Sequence, residues 1–315
     1  MNIVILDGYT LNPGDISWDP LRALGNVQIF DRTGPFDVID RCSNSEIVLT
    51  NKVVIPAGTI KKLTKLQYIG VLATGFNVVA VEAAKELGIV VTNIPGYGTH
   101  SVAQHTFALI LEIFNNVGGH NTDIHHGGWS QIPDFSYTLN TLHELSGKTL
   151  GVLGWGKIGK KVAAIGKVFG MHVIIHSSYP DAGSTFEFVP LEDLFRKSDI
   201  VSIHTKLNSH KIGLVNDSLL RLMKKEAVLI NTSRGQIINE QDLADALNND
   251  AIRAAGIDVF TVEPLSPDAP LLTAKNCTLT PHIAWATKEA RERLMQIAAD
   301  NIRSFIAGNP VNQVS

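Results

Sequence analysis

Residues 149–159 read Thr149-Leu150-Gly151-Val152-Leu153-Gly154-Trp155-Gly156-Lys157-Ile158-Gly159, a short apolar run that opens directly onto a Gly-x-Gly-x-x-Gly turn. Each glycine has a separate physical job. Gly154 permits the tight turn, Gly156 lets backbone amides approach a pyrophosphate, and Gly159 allows close packing of helix on strand. A helical stretch follows through 160–166 and a second apolar run through 172–175. The helix N-terminus then offers free N–H groups and the positive end of its dipole to phosphate. The alternative, a glycine-rich connection with no ligand, suits a lone motif better than this one. Set in a strand–turn–helix–strand context, the turn predicts a bound dinucleotide.

Outward from this stretch the same rhythm continues in both directions. Strand-like runs fall at 2–6, 46–49, 68–73, 89–92, 149–153, 172–175, 199–203, 227–230, 255–259 and 277–279. They are dense in Val, Ile and Leu with little polar alternation, as expected for strands covered on both faces. Helical signals at 191–197, 216–223 and 240–248 lie between them. Alternation at this pace predicts parallel sheets built from right-handed crossover units. The helix expected over 102–117 begins with a capping-box pair, Ser101 and Gln104, after the turn Pro95-Gly96-Tyr97-Gly98. It is apolar on most of its circumference and should be buried, with Gly118-Gly119 ending it. A domain boundary is therefore placed near Gly98, and the last helix, 288–306, has no strand after it and is free to fold back on the first domain. The expected fold class is α/β, in two domains.

The composition excludes several other classes. At 315 residues the chain exceeds what one hydrophobic core usually fills. With 44% hydrophobic and 18% charged residues it is too apolar for disorder. A net charge of -3 gives no general electrostatic reason to bind nucleic acid or an anionic membrane. Cys42 and Cys277 lie far apart without Cys-x-x-Cys spacing, which suits packing residues in a reducing cytosol rather than a disulfide framework or a zinc site. The start, Met1 to Asp7, lacks the basic flank and cleavage site of a signal peptide. The most apolar segment, Val102 to Phe114, is interrupted by Gln104, His105 and Glu112 and is too short to span a bilayer. These features describe a soluble cytoplasmic protein.

Three polar sites share one property: each follows the carboxyl end of an expected strand. They are Asn231-Thr232-Ser233-Arg234-Gly235, Phe260-Thr261-Val262-Glu263-Pro264 and Thr280-Pro281-His282. In an open parallel sheet, ligands bind outside the carboxyl ends of strands, so the three can converge on one pocket. Taken singly they would read as a surface arginine, a solvated glutamate and a capping histidine. Their chemistry is complementary. A guanidinium binds a carboxylate through a planar fork. An imidazole can give a proton to a carbonyl oxygen as hydride arrives, and a carboxylate beside it favours the imidazolium and holds its orientation. Dinucleotide, carboxylate clamp and paired proton donor together point to reversible carbonyl reduction.

Over essentially its whole length the chain resembles the D-isomer-specific 2-hydroxyacid dehydrogenase family. The matching pieces are Ala73-Thr74-Gly75-Phe76-Asn77, Ser101-Val102-Ala103-Gln104, the glycine turn, Asn231 to Gly235, Asp258-Val259-Phe260 with Glu263-Pro264, and Thr280-Pro281-His282-Ile283-Ala284. The resemblance implies a Rossmann NAD(P)-binding domain, residues 99–285, inserted into a flavodoxin-like substrate domain, residues 1–98 plus 286–315, both doubly wound parallel sheets. It makes Arg234, Glu263 and His282 the catalytic set. It gives Lys52, Thr74 and Gly75 to the substrate together with Arg234 and His282, the backbone amides of Thr74 and Gly75 taking the substrate carboxylate. The cofactor contacts it implies are Thr106, Gly154, Gly156, Lys157, Ile158, Gly159, Ser177, His204, Thr205, Thr232, Ser233, Asp258, His282 and Ala284, with Asp258 on the nicotinamide amide. It also implies a homodimer, the nucleotide domain supplying most of the contact. Within the family, the stretch from His282 to Arg291 and the pair Asn51-Lys52 look most like the glycerate dehydrogenase (hydroxypyruvate reductase) branch. D-lactate and phosphoglycerate dehydrogenases are the alternatives. The latter usually carry Arg-Ser before the matching lysine and a C-terminal regulatory extension. Formate dehydrogenases place glutamine where Glu263 stands. Nicotinamide-sensing corepressors of the family keep the same polar trio, but this chain has no basic or disordered tail for recruiting partners.

One feature departs from the family. NAD-dependent members place an aspartate about 20 residues past the glycine turn, on the adenosine ribose. Here the chain reads His176-Ser177-Ser178-Tyr179, so Ser177 stands in that position. No arginine or lysine lies between His172 and Phe195 to neutralise a 2′-phosphate, and only His176 adds partial charge. The expected site is relaxed, with NAD favoured and NADP possible. His125-His126 precede Gly127-Gly128-Trp129. Adjacent side chains rarely share a metal, so this segment reads as a loop at a subunit contact and no metal site is expected. Trp285 either lines the pocket or fills the domain junction.

Overall fold

The computed structural model describes residues 1–315. They form two compact units, Met1–Gly98 with Trp285–Ser315, and Thr99–Ala284. The sequence reading put Trp285 with the nucleotide domain; its indole instead packs edge-on against Tyr97 of the first unit, with ring centroids 6.2 Å apart.

The first unit holds a five-stranded sheet made of β1 (Asn2–Ile5), β2 (Asn26–Ile29), β3 (Ile47–Thr50), β4 (Tyr68–Val71) and β5 (Val90–Thr92). All pairings are parallel and the spatial order is β2-β1-β3-β4-β5. This is the flavodoxin-like 2-1-3-4-5 arrangement. Alternation along each strand divides the side chains between two cores. Ile3, Ile5, Ile47, Leu49 and Tyr68 face one side, while Val4, Leu6, Val48, Ile69 and Val71 face the other. The first side is covered by the C-terminal helix through Ala290, Leu294, Met295, Ala298, Ala299 and Ile302, an i, i+3, i+4 stripe. Arg291 on that helix is buried and makes a two-pronged pair with Asp15, both N–O distances being 2.6 Å.

The second unit holds β6 (Thr149–Leu153), β7 (His172–His176), β8 (Glu187–Phe188), β9 (Ile200–Ile203), β10 (Val228–Asn231), β11 (Ala254–Ile257) and β12 (Cys277–Leu279). Their order is β12-β11-β10-β9-β6-β7-β8, again all parallel. Read from the far edge this is the 3-2-1-4-5-6 order of a dinucleotide-binding sheet with a seventh strand added. The order in which strands are added reverses between β6 and β9, and in sheets of this kind the crevice for a ligand lies at that switch point. The helices of seven or more residues are α1 (Thr99–Asn115), α2 (Val117–His125), α3 (Lys157–Val168), α4 (Leu191–Lys197), α5 (Glu240–Asn248) and α6 (Lys288–Ile306).

Three local expectations need correction. Ser101 does not cap a helix: α1 begins at Thr99, and the buried Ser101 hydroxyl donates to the Ala284 carbonyl at 2.6 Å. Gly118-Gly119 do not end a helix either. Asn116 breaks it, in left-handed backbone at φ 49, and α2 then runs straight through both glycines. The expected strands also missed β2 and β8. β2 is an edge strand whose Asn26 and Gln28 are exposed, so it lacks the continuous apolar run that marked the central strands. β8 has only two residues.

Candidate active site

The second unit gathers most of the sequence-predicted residues along one edge. Successive loops leave the carboxyl ends of its strands: the glycine turn after β6, Ser177 after β7, His204 and Thr205 after β9, Thr232 to Arg234 after β10, Asp258 after β11, and His282 to Ala284 after β12. The glycine turn fits a dinucleotide. Gly154 adopts φ +110, and a Cβ there would lie 2.7 Å from the His204 carbonyl carbon and the Thr205 nitrogen. At Gly159 a Cβ would sit 2.1 Å from the Gly154 oxygen. At Gly156 a Cβ would enter open space, with no atom within 4 Å. Gly156 is the N-cap of α3 and supplies no side-chain cap, so the first backbone N–H groups of the helix have no partner from it and suit a phosphate.

His282 and Glu263 are brought together. His282 Nδ1 lies 2.6 Å from Glu263 Oε2, and the other oxygen of Glu263 accepts the Phe260 amide at 3.0 Å. With Nδ1 committed to the carboxylate, Nε2 is the nitrogen left to exchange a proton. His282 sits in left-handed backbone, φ 55, a conformation that costs a non-glycine residue energy. What holds it there is Asp258. This fully buried carboxylate accepts the Ile283 amide at 2.8 Å, the Ala284 amide at 2.9 Å and the Thr280 hydroxyl at 2.6 Å. Since the Thr280 proton goes to Asp258, His105 Nε2, 3.0 Å from the same hydroxyl, is the donor in that contact. Burial pushes the Asp258 carboxyl up, but hydrogen bonds from His105, Thr280, Ala284 and Ile283 outweigh it and hold the group below the usual carboxylate range. Both of its oxygens thus accept from the turn that carries His282.

Arg234 is half-buried, with one guanidinium N–H on the Ser233 carbonyl at 2.7 Å. Its backbone carbonyl accepts from Asn231 at 2.9 Å, which pins the turn. Ser233 reaches across to the Thr205 carbonyl at 2.6 Å. Thr106 is fully buried, its hydroxyl shared between the Val102 carbonyl at 2.8 Å and Thr232 at 3.1 Å. It underpins the Thr232 turn instead of offering a surface to a ligand. His204 pairs with Ser202 at 2.8 Å, and burial pushes its imidazole down to about 3, so it stays neutral. The Ser177 hydroxyl is turned onto its own loop, accepting from the Tyr179 amide at 3.1 Å.

The remaining candidates lie in the first unit, likewise at carboxyl ends of strands. Lys52 follows β3, and Thr74 and Gly75 follow β4. Sequence reasoning missed Asp7, at the end of β1. Its buried carboxylate accepts the amides of Asn51 at 2.8 Å, Lys52 at 2.5 Å and Val53 at 3.2 Å. Burial raises its pKa in spite of these bonds. An aspartate directly after the first apolar strand was the available signal.

Residues 107–284 match the family described as D-isomer specific 2-hydroxyacid dehydrogenase, NAD binding domain. The chain belongs to the D-2-hydroxyacid dehydrogenase family. Among family members it is similar to a hydroxypyruvate reductase of Blautia hydrogenotrophica, 46% identical with all of both chains covered. It is also similar to a glyoxylate reductase of Aeropyrum pernix, 42% identical over 83% of this chain and 80% of the relative. Among solved structures, an acyclic imino acid reductase in complex with NADPH and D-Arg superposes over the full length of both chains, with a TM-score of 0.88 and 32% identity.

Proposed function

We propose that this dehydrogenase reduces hydroxypyruvate to D-glycerate, and glyoxylate as a smaller substrate, with NADH as the favoured cofactor. The observation that carries this reading is the 2.6 Å pair of His282 and Glu263 on the same sheet edge as the glycine turn. When bound, the reduced dinucleotide supplies the hydride. His282 Nε2 gives its proton to the carbonyl oxygen as negative charge develops there, and Glu263 stabilises and orients the imidazolium. Arg234 takes the substrate carboxylate through its guanidinium fork. The family resemblance gives Lys52 and the amides of Thr74 and Gly75 to the substrate as well. Thr232, Ser233, Thr205 and the turn from Gly154 to Gly159 take the dinucleotide, and Asp258 and Thr106 act through the turns they brace.

A homodimer in the cytoplasm fits the rest of the molecule. Helix α2 buries none of its residues, and Val117, Ile124, Trp129, Phe135, Leu139 and Leu142 along the excursion from α1 to β6 are all exposed. A lone chain seldom leaves so much apolar surface in water, and a second copy is the occupant the family resemblance implies. No helix is long and apolar enough to cross a membrane. Cys42 and Cys277 are free thiols, and burial pushes the pKa of each up to about 12.

The test is a steady-state panel of hydroxypyruvate, glyoxylate, pyruvate and 3-phosphohydroxypyruvate with each reduced cofactor. Hydroxypyruvate should give the highest kcat/KM. A clear preference for pyruvate or the phosphorylated acid would replace this assignment with another branch of the family.

A further inference from the structure

The carboxylate absent from position 177 reappears four residues later, tied to the glycine turn. Asp181 Oδ2 accepts the Trp155 indole N–H at 3.2 Å and the Lys160 ammonium at 3.1 Å, while its other oxygen accepts the Gly183 amide at 3.2 Å. Trp155 is the residue between the first two glycines of the turn, and Lys160 lies in the first turns of α3. The indole is itself fixed edge-on against Phe186 and Phe188, with centroids 5.5 and 5.6 Å away. The loop that follows β7 therefore folds back over the phosphate-binding turn and delivers one negative charge to it. These three hydrogen bonds hold the Asp181 carboxyl below the usual carboxylate range, so it is ionised at neutral pH.

Of the groups near this end of the site, Lys160 balances that charge directly, and the others are spent elsewhere. Ser177 spends its hydroxyl on Tyr179, and His176 directs Nδ1 to the Val189 carbonyl at 3.0 Å. Lys160 is paired with Asp181 itself, so its ammonium is held on the carboxylate rather than left free for a phosphate. In the Rossmann arrangement the residues just beyond the second strand face the adenosine ribose, where NAD carries a diol and NADP a phosphate. A diol can donate to a carboxylate; a phosphate is repelled by it and needs a cation instead. Specificity is a difference of affinities, and a like charge against the wrong ligand is an effective way to build it.

We propose that Asp181, tethered to Trp155 and Lys160, is the residue that selects NADH over NADPH in this enzyme. It does so by opposing the 2′-phosphate and by holding the Lys160 ammonium away from it. The role belongs to Asp181 rather than to Ser177, and it rests on the dinucleotide reading of the glycine turn.

The experiment uses the full-length protein and two independent readouts. Binding of NADH and NADPH is titrated without substrate by quenching of tryptophan fluorescence, and kcat/KM is measured for both cofactors with hydroxypyruvate. Wild type is expected to bind NADH at least about tenfold more tightly than NADPH. Asp181→Asn retains an oxygen for the indole N–H, removes the charge and releases Lys160. It should shrink that gap by about tenfold, and adding Lys160→Ala should take the gain away. Asp181→Glu should keep the preference, which guards against a loop that has merely collapsed. An unchanged gap in Asp181→Asn, or a wild type without preference, overturns the proposal. If hydroxypyruvate is not turned over while the binding gap responds to Asp181→Asn, the substrate assignment fails and the role of Asp181 stands.

Discussion

At the scale of single residues, the chemistry rests on two side chains that do different things. In the proposed mechanism His282 exchanges the proton, so His282→Ala is expected to lower kcat by at least about a hundredfold, the usual scale for a positioned acid. Titration with reduced cofactor should still show binding, because the glycine turn is untouched. Near-normal turnover in that variant would remove His282 from the mechanism. The proposed role of Arg234 depends on shape as much as on charge. Arg234→Lys retains the charge but loses the planar fork and should weaken transition-state binding by about 1–3 kcal/mol, read from kcat/KM for the 2-oxo acid. A kinetically silent lysine would mean that Arg234 does not touch substrate. Both residues were visible in the sequence because each ends a strand-like run with a polar group. Asp7 and Asp181 were not found that way. The function of each depends on which backbone or side chain the folded chain returns to it, Asn51 to Val53 in one case and Trp155 with Lys160 in the other.

At the scale of elements, the turns after β6 and β12 are the parts most exposed to single changes. A methyl at Gly159 would press on the Gly154 carbonyl oxygen, which is backbone and has little room to move. Gly159→Ala should therefore cost about 1–3 kcal/mol of stability in urea unfolding, the range for overpacking, and should weaken dinucleotide binding. A variant as stable as wild type would mean that the strand and helix can separate at no cost. The turn carrying His282 depends on ionised Asp258. Its folded pKa lies below the ordinary value of 3.8, so the unfolded chain binds the proton first as pH falls. The stability Asp258 contributes is present above about 3.8 and lost as pH drops through the folded value. Urea midpoints measured from pH 7 to 3 should fall more steeply at the acid end in wild type than in Asp258→Asn. Parallel curves would show that the carboxylate is not braced as described. The central strands were legible because burial on both faces makes them continuous apolar runs, and β2 was missed because an edge strand need not be apolar throughout. Ser101 looked like a cap because its partner, the Ala284 carbonyl, lies 183 residues away in the chain.

At the scale of the whole molecule, two strand orders, 2-1-3-4-5 and 3-2-1-4-5-6 with one strand added, come from a single chain that leaves the first unit at Gly98 and returns to it at Trp285. The apolar excursion from α1 to β6 makes an expectation about assembly. Sedimentation at micromolar concentration should give twice the 34.2 kDa chain mass, and Phe135→Glu with Trp129→Glu should shift the protein toward monomer. A wild-type monomer at that concentration would remove the second copy as the occupant of that surface. The central claim is that the Arg234, Glu263 and His282 edge reduces a 2-oxo acid to one hand of hydroxy acid. The most direct measurement is to incubate the protein with hydroxypyruvate and NADH and resolve the product by chiral chromatography. D-glycerate formed mole for mole with NADH consumed is the expected result; L-glycerate, a racemate, or no consumption of NADH or NADPH would contradict it.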